Sequence, residues 1–155
     1  DRPEVRQRIT AAFGGHGIDA ERLILEGASP RAEYFACFDH VDVSLDPFPY
    51  RGGAVTFQSL WMGVPVLTLE RPQGMIGRYG AAILAPLGLD DWVATDEDDY
   101  VARACRFAAD PALLAELRAG LRQRLMQSTA GDGARFVRQL ETLLREVWRD
   151  GNAAR

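Results

Sequence analysis

Lysine is missing altogether: all 18 basic side chains in the 155 residues are arginine. A lysine Schiff base and a lysine grip on phosphate are therefore excluded from within this chain, and any phosphate contact falls to arginine or to backbone N–H groups. Cysteine is scarce. Cys37 and Cys105 lie far apart and neither belongs to a C-x-x-C pair, which argues against a disulfide framework and a structural zinc site; both read as small apolar fillers. No apolar run approaches the length of a membrane span, and the opening DRPEVRQRIT lacks the basic-then-apolar order of a signal peptide. A cytoplasmic address without a membrane partner is the default expectation. Basic blocks are absent too: the net charge is −4, the pI is near 5.2, and charges are interspersed along helical segments, which argues against a nucleic-acid surface. Neither internal repeats nor low-complexity linkers are found.

What is present suffices for one core. At 47% hydrophobic, residues 1–155 read as a single globular domain. Pro3 opens a helix through Phe13 that ends at the glycines of FGGHG, and RLILEG (22–27) reads as a short buried strand. Ser29 is placed to cap a helix with Pro30 at its first position, running to about Phe38. VDVSLD (41–46) is the second strand, a helix covers roughly 55–62 and ends at Gly63, and PVLTL (65–69) is the third strand. The loop ERPQGMIG leads into a helix through about Leu87, and WVAT is a short fourth strand. From Asp96 onward only helical periods remain, in three amphipathic segments read as cover and closing helices. Strands alternating with helices of about ten residues predict an α/β fold with a Rossmann-like parallel sheet, whose ligands sit outside the carboxyl ends of the strands.

One loop carries the chemistry. In LDPFPYRGGAVTFQSLW, Gly52 and Gly53 fall between a buried strand and a helix, where a missing Cβ lets backbone N–H groups approach a ligand and the helix dipole favours an anion. The alternative is a tight turn that needs a positive φ at one of the two glycines. A doubly wound sheet usually holds five or six strands, so the count here predicts that further strands, and a partner domain, lie upstream of Asp1. Such a piece is expected to expose apolar surface and to be able to self-associate.

Taken together, RLILEG, the long segment ASPRAEYFACFDHVDVSLDPFPYRGGAVTFQSLWMGVPVLTL, GRYGAAILAPLGLDDWVAT and the closing LRAGLRQRLMQS and RFVRQLETLLREVW resemble the C-terminal catalytic half of glycosyltransferase family 41. This is the family of the O-linked N-acetylglucosamine transferases and SPINDLY-type proteins. The resemblance implies a GT-B architecture, two Rossmann-like halves with a nucleotide sugar in the cleft, this chain being most of the donor-binding half. It also implies upstream tetratricopeptide repeats that select an acceptor polypeptide, no cofactor beyond a UDP-sugar donor acting as substrate, and no metal.

Site residues carry over one at a time. The family's basic residue and base-stacking ring match Arg31 and Tyr34, which could instead be a solvated helix residue and a core packing ring. At the diphosphate loop, family members commonly read PYNGGTTSxDALW, whereas this chain reads PYRGGAVTFQSLW. Gly52 and Gly53 are kept, Ala54 and Val55 replace a threonine pair, Gln58 replaces a ribose-binding aspartate, and Arg51 replaces asparagine. Thr56 and Arg51 are candidates to offset the missing hydroxyls. Arg78 matches a family arginine preceded by serine, here Gly77, and has a helix N-terminal surface charge or a structural ion pair as its alternative role. The family's general acid/base candidates lie upstream, so no catalytic residue is assigned. The implied function is the donor-binding part of a protein O-glycosyltransferase, with UDP-N-acetylglucosamine transfer to Ser or Thr. The competing reading is a degenerate, non-catalytic interaction module, and the sequence does not distinguish UDP from GDP.

Overall fold

The computed structural model describes residues 2–50, 52–71 and 76–153. They form two compact units, Asp1–Cys37 and Phe38–Arg155. In the first, helix α1 (Pro3–Gly14) starts with proline at its first position and leads into a turn in which Gly17 takes φ 76°, a left-handed conformation that suits glycine. A single 3-10 turn, Ala20–Arg22, follows, and the chain then runs without regular structure to helix α2 (Arg31–Ala36).

Two expectations are corrected here. RLILEG forms no strand among the described residues, and Ile24 is 79% exposed. Three consecutive apolar residues meet a propensity test, but a strand exists only where a neighbour takes its backbone N–H and C=O groups. Ser29 does not cap α2. Pro30 itself occupies the cap position with an extended ψ of 152° and no side-chain hydrogen bond, so the helix starts one residue later than the sequence pattern predicts.

The second unit is built on a parallel sheet of strands β1 (Ser44–Leu45), β2 (Val66–Leu69) and β3 (Val93–Ala94), in the order β1-β2-β3. Ser44 pairs with Val66, Leu45 with Leu67, Thr68 with Val93 and Leu69 with Ala94. The third strand beside VDVSLD and PVLTL is thus WVAT, not RLILEG. Helix α3 (Ala54–Trp61) crosses from β1 to β2, and α4 (Tyr79–Leu84) crosses from β2 to β3. Because all three strands run the same way, the loops after Leu45, Leu69 and Ala94 leave one edge of the sheet.

All four residues of β2 are buried, as expected of a parallel strand covered on both faces. Around it Leu60, Leu67, Leu84 and Leu121 are almost wholly excluded from solvent, and Trp92 stacks on Phe107 with ring centroids 3.8 Å apart. Aspartates place the next two helices. The Asp96 side chain takes the Asp99 N–H at 2.8 Å to open α5 (Glu97–Ala108), and Asp110 takes the Leu113 N–H at 3.0 Å to open α6 (Pro111–Gln127). One turn into α5, Arg103 and the Thr95 N–H hold the Asp99 carboxyl below its ordinary pKa.

Helix α7 (Gly133–Ala153) departs from its expected closing role. Phe136, Val137, Leu140, Leu143, Leu144, Val147 and Trp148 make a continuous stripe at helical spacing, yet each is between 41% and 71% exposed. Amphipathic periodicity says that a face favours burial; it does not say against what. Among the described residues nothing buries this stripe, and none of the helices is long and apolar enough to cross a membrane.

Candidate functional site: the glycine loop at the sheet edge

Asp46, the residue after β1, is only 4% exposed, and both oxygens of its carboxylate are used. One accepts the Gly52 N–H at 2.7 Å; the other accepts the Thr68 hydroxyl at 2.8 Å. Its main-chain carbonyl accepts the Tyr100 hydroxyl at 3.2 Å. On the far side of the loop the Thr56 hydroxyl donates to the Gly52 carbonyl at 2.9 Å, so Gly52 is held from both ends of its own backbone. A Cβ there would lie 3.0 Å from the Thr56 hydroxyl and 3.3 Å from the Asp46 carboxylate, closer than nearly all real Cβ contacts. This explains one glycine of the pair through packing of the loop itself.

The second glycine has no such reason. Gly53 caps α3 with φ −113°, outside the left-handed region that favours glycine, and an added Cβ would meet only the Tyr79 ring at 3.8 Å. A turn requiring positive φ at Gly53 is therefore not what selects glycine there. What the bare backbone does is leave open the start of α3, where the N–H groups of Ala54 and Val55 have no carbonyl four residues earlier in the helix to receive them. Both side chains are exposed, with Val55 at 51%. These donors at the positive end of a helix, on the carboxyl edge of a parallel sheet, form a site suited to an anion.

The other sequence-predicted residues divide. Thr56 is 2% exposed and its hydroxyl proton is directed to Gly52, so it supports the loop from inside. Gln58 is half-buried and already has an interaction partner. Arg78 sits at the cap of α4, exposed and unpaired among the described residues, which removes the ion-pair alternative and fits a helix N-terminal surface charge as well as a ligand contact. With Phe57, Tyr79, Ala82, Ile83 and Ala130 it lines a cavity of about 490 Å³. Its neighbour Gly77 has a local cause: a Cβ would come closer than 3.0 Å to the Arg71 carbonyl, so serine does not fit this backbone. Arg51 lies outside the described residues.

Arg31 and Tyr34 belong to the first unit, on α2. Arg31 is exposed with its guanidinium 5.7 Å from the Phe35 ring centroid, and the half-buried Tyr34 meets Phe35 edge-on at 5.4 Å.

Three functional candidates escaped the sequence reading: Asp46, Thr68 and Tyr100. The available signal was Thr68, a hydroxyl inside a strand buried on both faces, which demands a polar partner. Burial, and secondarily the charge of Asp46, push the Tyr100 hydroxyl up to about 12, so it remains a proton donor throughout the neutral range. Of the cysteines, Cys37 is half-buried but Cys105 is exposed, so only the first fits the filler role. Among the described residues no group of three or more His, Cys, Asp or Glu side chains is placed to hold a metal.

Residues 3–140 match Glycosyl transferase family 41. The chain is 35% identical over 148 residues to the probable UDP-N-acetylglucosamine–peptide N-acetylglucosaminyltransferase SPINDLY of Solanum lycopersicum, covering 94% of this chain and 16% of that protein. The SPINDLY protein of Oryza sativa subsp. japonica is 35% identical over 155 residues, with 96% and 16% covered. The UDP-N-acetylglucosamine–peptide N-acetylglucosaminyltransferase of Caenorhabditis elegans is 27% identical over 133 residues, 86% of this chain and 12% of that one. The chain thus spans about a sixth of the length of the plant relatives. In three dimensions it superposes on a mutant of the Thermobaculum terrenum O-GlcNAc transferase with a TM-score of 0.86 and 35% identity, covering 96% of this chain and 28% of that one. The architecture is accordingly the α/β, Rossmann-like part of a GT-B fold. A match over residues 3–140, with 35% identity to SPINDLY proteins across nearly all of the sequence, means that the chain belongs to glycosyl transferase family 41, in its O-GlcNAc transferase and SPINDLY-like group.

Proposed function

We propose that this chain supplies the donor-binding part of a protein O-glycosyltransferase, taking a UDP-sugar and serving transfer to a polypeptide hydroxyl. The observation that carries the reading is Gly53: neither a positive φ nor a close neighbour calls for glycine there, whereas a bare backbone suits a diphosphate approaching the first N–H groups of α3. Arg78 is the free cation on the described surface of α4 that is suited to the same anion, and Arg51 is its counterpart in the loop sequence. The transferases of tomato and worm named above carry UDP-N-acetylglucosamine and peptide in their descriptions, and this donor and a peptide acceptor are the ones proposed here.

In the reaction, an acceptor hydroxyl attacks the anomeric carbon as the nucleoside diphosphate departs, and the task of this half is to hold the charge that develops on the leaving phosphate. Backbone donors fixed at a helix start do so without reorganising. A titration of UDP and GDP into the full-length protein tests the reading. UDP binding in the micromolar to low millimolar range, tighter than GDP, is expected; no affinity for either nucleotide would leave the fold as an interaction module. That second reading has its own support, since the side chains of Ala54 and Val55 offer no hydroxyl to a ligand.

The same two positions give a gain-of-affinity prediction. Both side chains are exposed, and valine and threonine share a shape, so the pair Ala54→Thr and Val55→Thr adds hydroxyls without disturbing packing. UDP binding should tighten by a few tenths to about 1.5 kcal/mol per hydroxyl. Calorimetric titration of the double variant checks it; an unchanged Kd would separate these positions from the diphosphate.

A further inference from the structure

We propose that Asp46 and Tyr100 are positioning residues for donor binding: they lock the glycine loop so that the N–H groups at the start of α3 stand ready before the ligand arrives. This rests on the donor-binding reading above and extends it to residues that do not touch the donor.

The loop between Asp46 and Gly53 contains two prolines and two glycines, and its described residues have no strand partner, so something else must define their path. The Asp46 carboxylate does this at its root. Its two incoming partners, the Gly52 N–H and the Thr68 hydroxyl, are both donors, which suits a group that only accepts. One side chain thereby ties the end of the loop to its beginning and to the buried strand β2 in a single step.

Tyr100 braces the same root from α5, 54 positions away in sequence, through its hydroxyl on the Asp46 carbonyl. Its ring also meets Phe48 edge-on at 5.8 Å, in the middle of the loop. The Arg71 guanidinium lies 5.8 Å from the same Phe48 ring and is itself paired with Glu97 in the first turn of α5. Helix α5, which the sequence presents as simple cover, therefore grips the loop at two levels. Fixing the donors in advance spares the ligand the ordering cost of a flexible loop, so the gain appears as affinity.

A carboxylate so near a diphosphate site also carries a charge that opposes the ligand, which separates geometry from charge experimentally. Asp46→Asn keeps an oxygen for Gly52 and presents an amide to the Thr68 oxygen, preserving the clamp without the charge. Asp46→Ala removes the clamp, and Tyr100→Phe removes one bond while keeping the ring against Phe48.

The test measures amide hydrogen exchange at Gly52 and UDP affinity, both in the full-length protein. Expected are faster Gly52 exchange and UDP binding weakened about tenfold or more in Asp46→Ala, about three- to tenfold weakening in Tyr100→Phe, and, in Asp46→Asn, near-wild-type Gly52 exchange with UDP affinity at or above that of the wild type. Unchanged Gly52 exchange in Asp46→Ala overturns the clamp, whatever happens to UDP. Faster exchange with unchanged UDP affinity overturns the positioning role and leaves the donor reading standing. Absence of UDP binding in the wild-type protein, with exchange still responding, removes the donor reading and this role together while the contacts stand. Should Asp46→Ala fail to fold, Tyr100→Phe carries the same comparison, since it leaves the buried carboxylate and its partners in place.

Discussion

UDP binding is expected to vanish in Gly53→Val while the protein remains folded. The two halves of that statement come from different parts of the geometry. Valine at this position meets no positive φ, and its Cβ would meet the Tyr79 ring at 3.8 Å, which is normal contact. Replacing glycine by a β-branched residue at a helix cap costs about 1 kcal/mol, so a modest drop in thermal stability accompanies the change. The branched methyl groups, however, occupy the space in front of the Ala54 and Val55 N–H groups. Each charge-assisted hydrogen bond denied to a diphosphate is worth roughly 1.5 to 3 kcal/mol, and losing two takes affinity down by about a hundredfold or more. Calorimetric titration with UDP, run beside circular dichroism, checks both halves. A folded Gly53→Val protein with wild-type UDP affinity would show that the start of α3 is not the diphosphate site.

Gly52→Ala makes a contrasting partner to that variant. Its Cβ crowds the Thr56 hydroxyl and the Asp46 carboxylate, so it disturbs the loop rather than screening its outer face. Adjacent glycines thus have separate jobs, one facing inward and the other outward. The run Gly-Gly in the sequence does not tell these two positions apart.

Legibility in the sequence followed locality. Helices α5 and α6 were readable because their caps, Asp96 and Asp110, act within three residues of where they stand. Strand β2 was readable because Val66, Leu67, Thr68 and Leu69 form a short apolar and β-branched run bounded by Gly63 and Glu70. RLILEG carried the same apolar signal and failed, since pairing is a property of two segments and the signal reports only one. The stripe on α7 was legible as amphipathic, but its surroundings were not. At the candidate site, Gly52 and Gly53 stood out because they fall in a loop between strand and helix, whereas Arg78 was reached only through the family resemblance. Asp46 looked like the first residue of that loop, and nothing in the linear order joins it to Thr68 and Tyr100, 22 and 54 positions away.

The second large effect is predicted at the other end of α3, at Gly63→Ala. Gly63 has φ +81°, a region costly for any residue with a Cβ, and an added Cβ would stand 2.5 Å from the Arg118 carbonyl oxygen. That oxygen is backbone of α6 and has little freedom to retreat. Arg118 reaches back to the Phe38 and Val41 carbonyls, and Arg122, one turn on, donates from Nε to the Trp61 carbonyl at 2.7 Å. The end of α3 and the middle of α6 are thus fastened together where the glycine allows their backbones to touch. Gly88→Ala isolates the conformational part: φ is +68° there, but nothing lies within 4 Å of the added Cβ. That variant should lose about 1 to 2 kcal/mol, whereas Gly63→Ala should lose about 3 kcal/mol or more, the excess being the forced separation of two packed helices. Urea unfolding midpoints at unchanged slope measure the difference, and equal losses in the two variants would mean that α6 yields without cost. If α6 does not yield, α3 must tilt instead, and because its other end carries the Ala54 and Val55 N–H groups, weakened UDP binding is expected from a substitution a whole helix length away from the ligand.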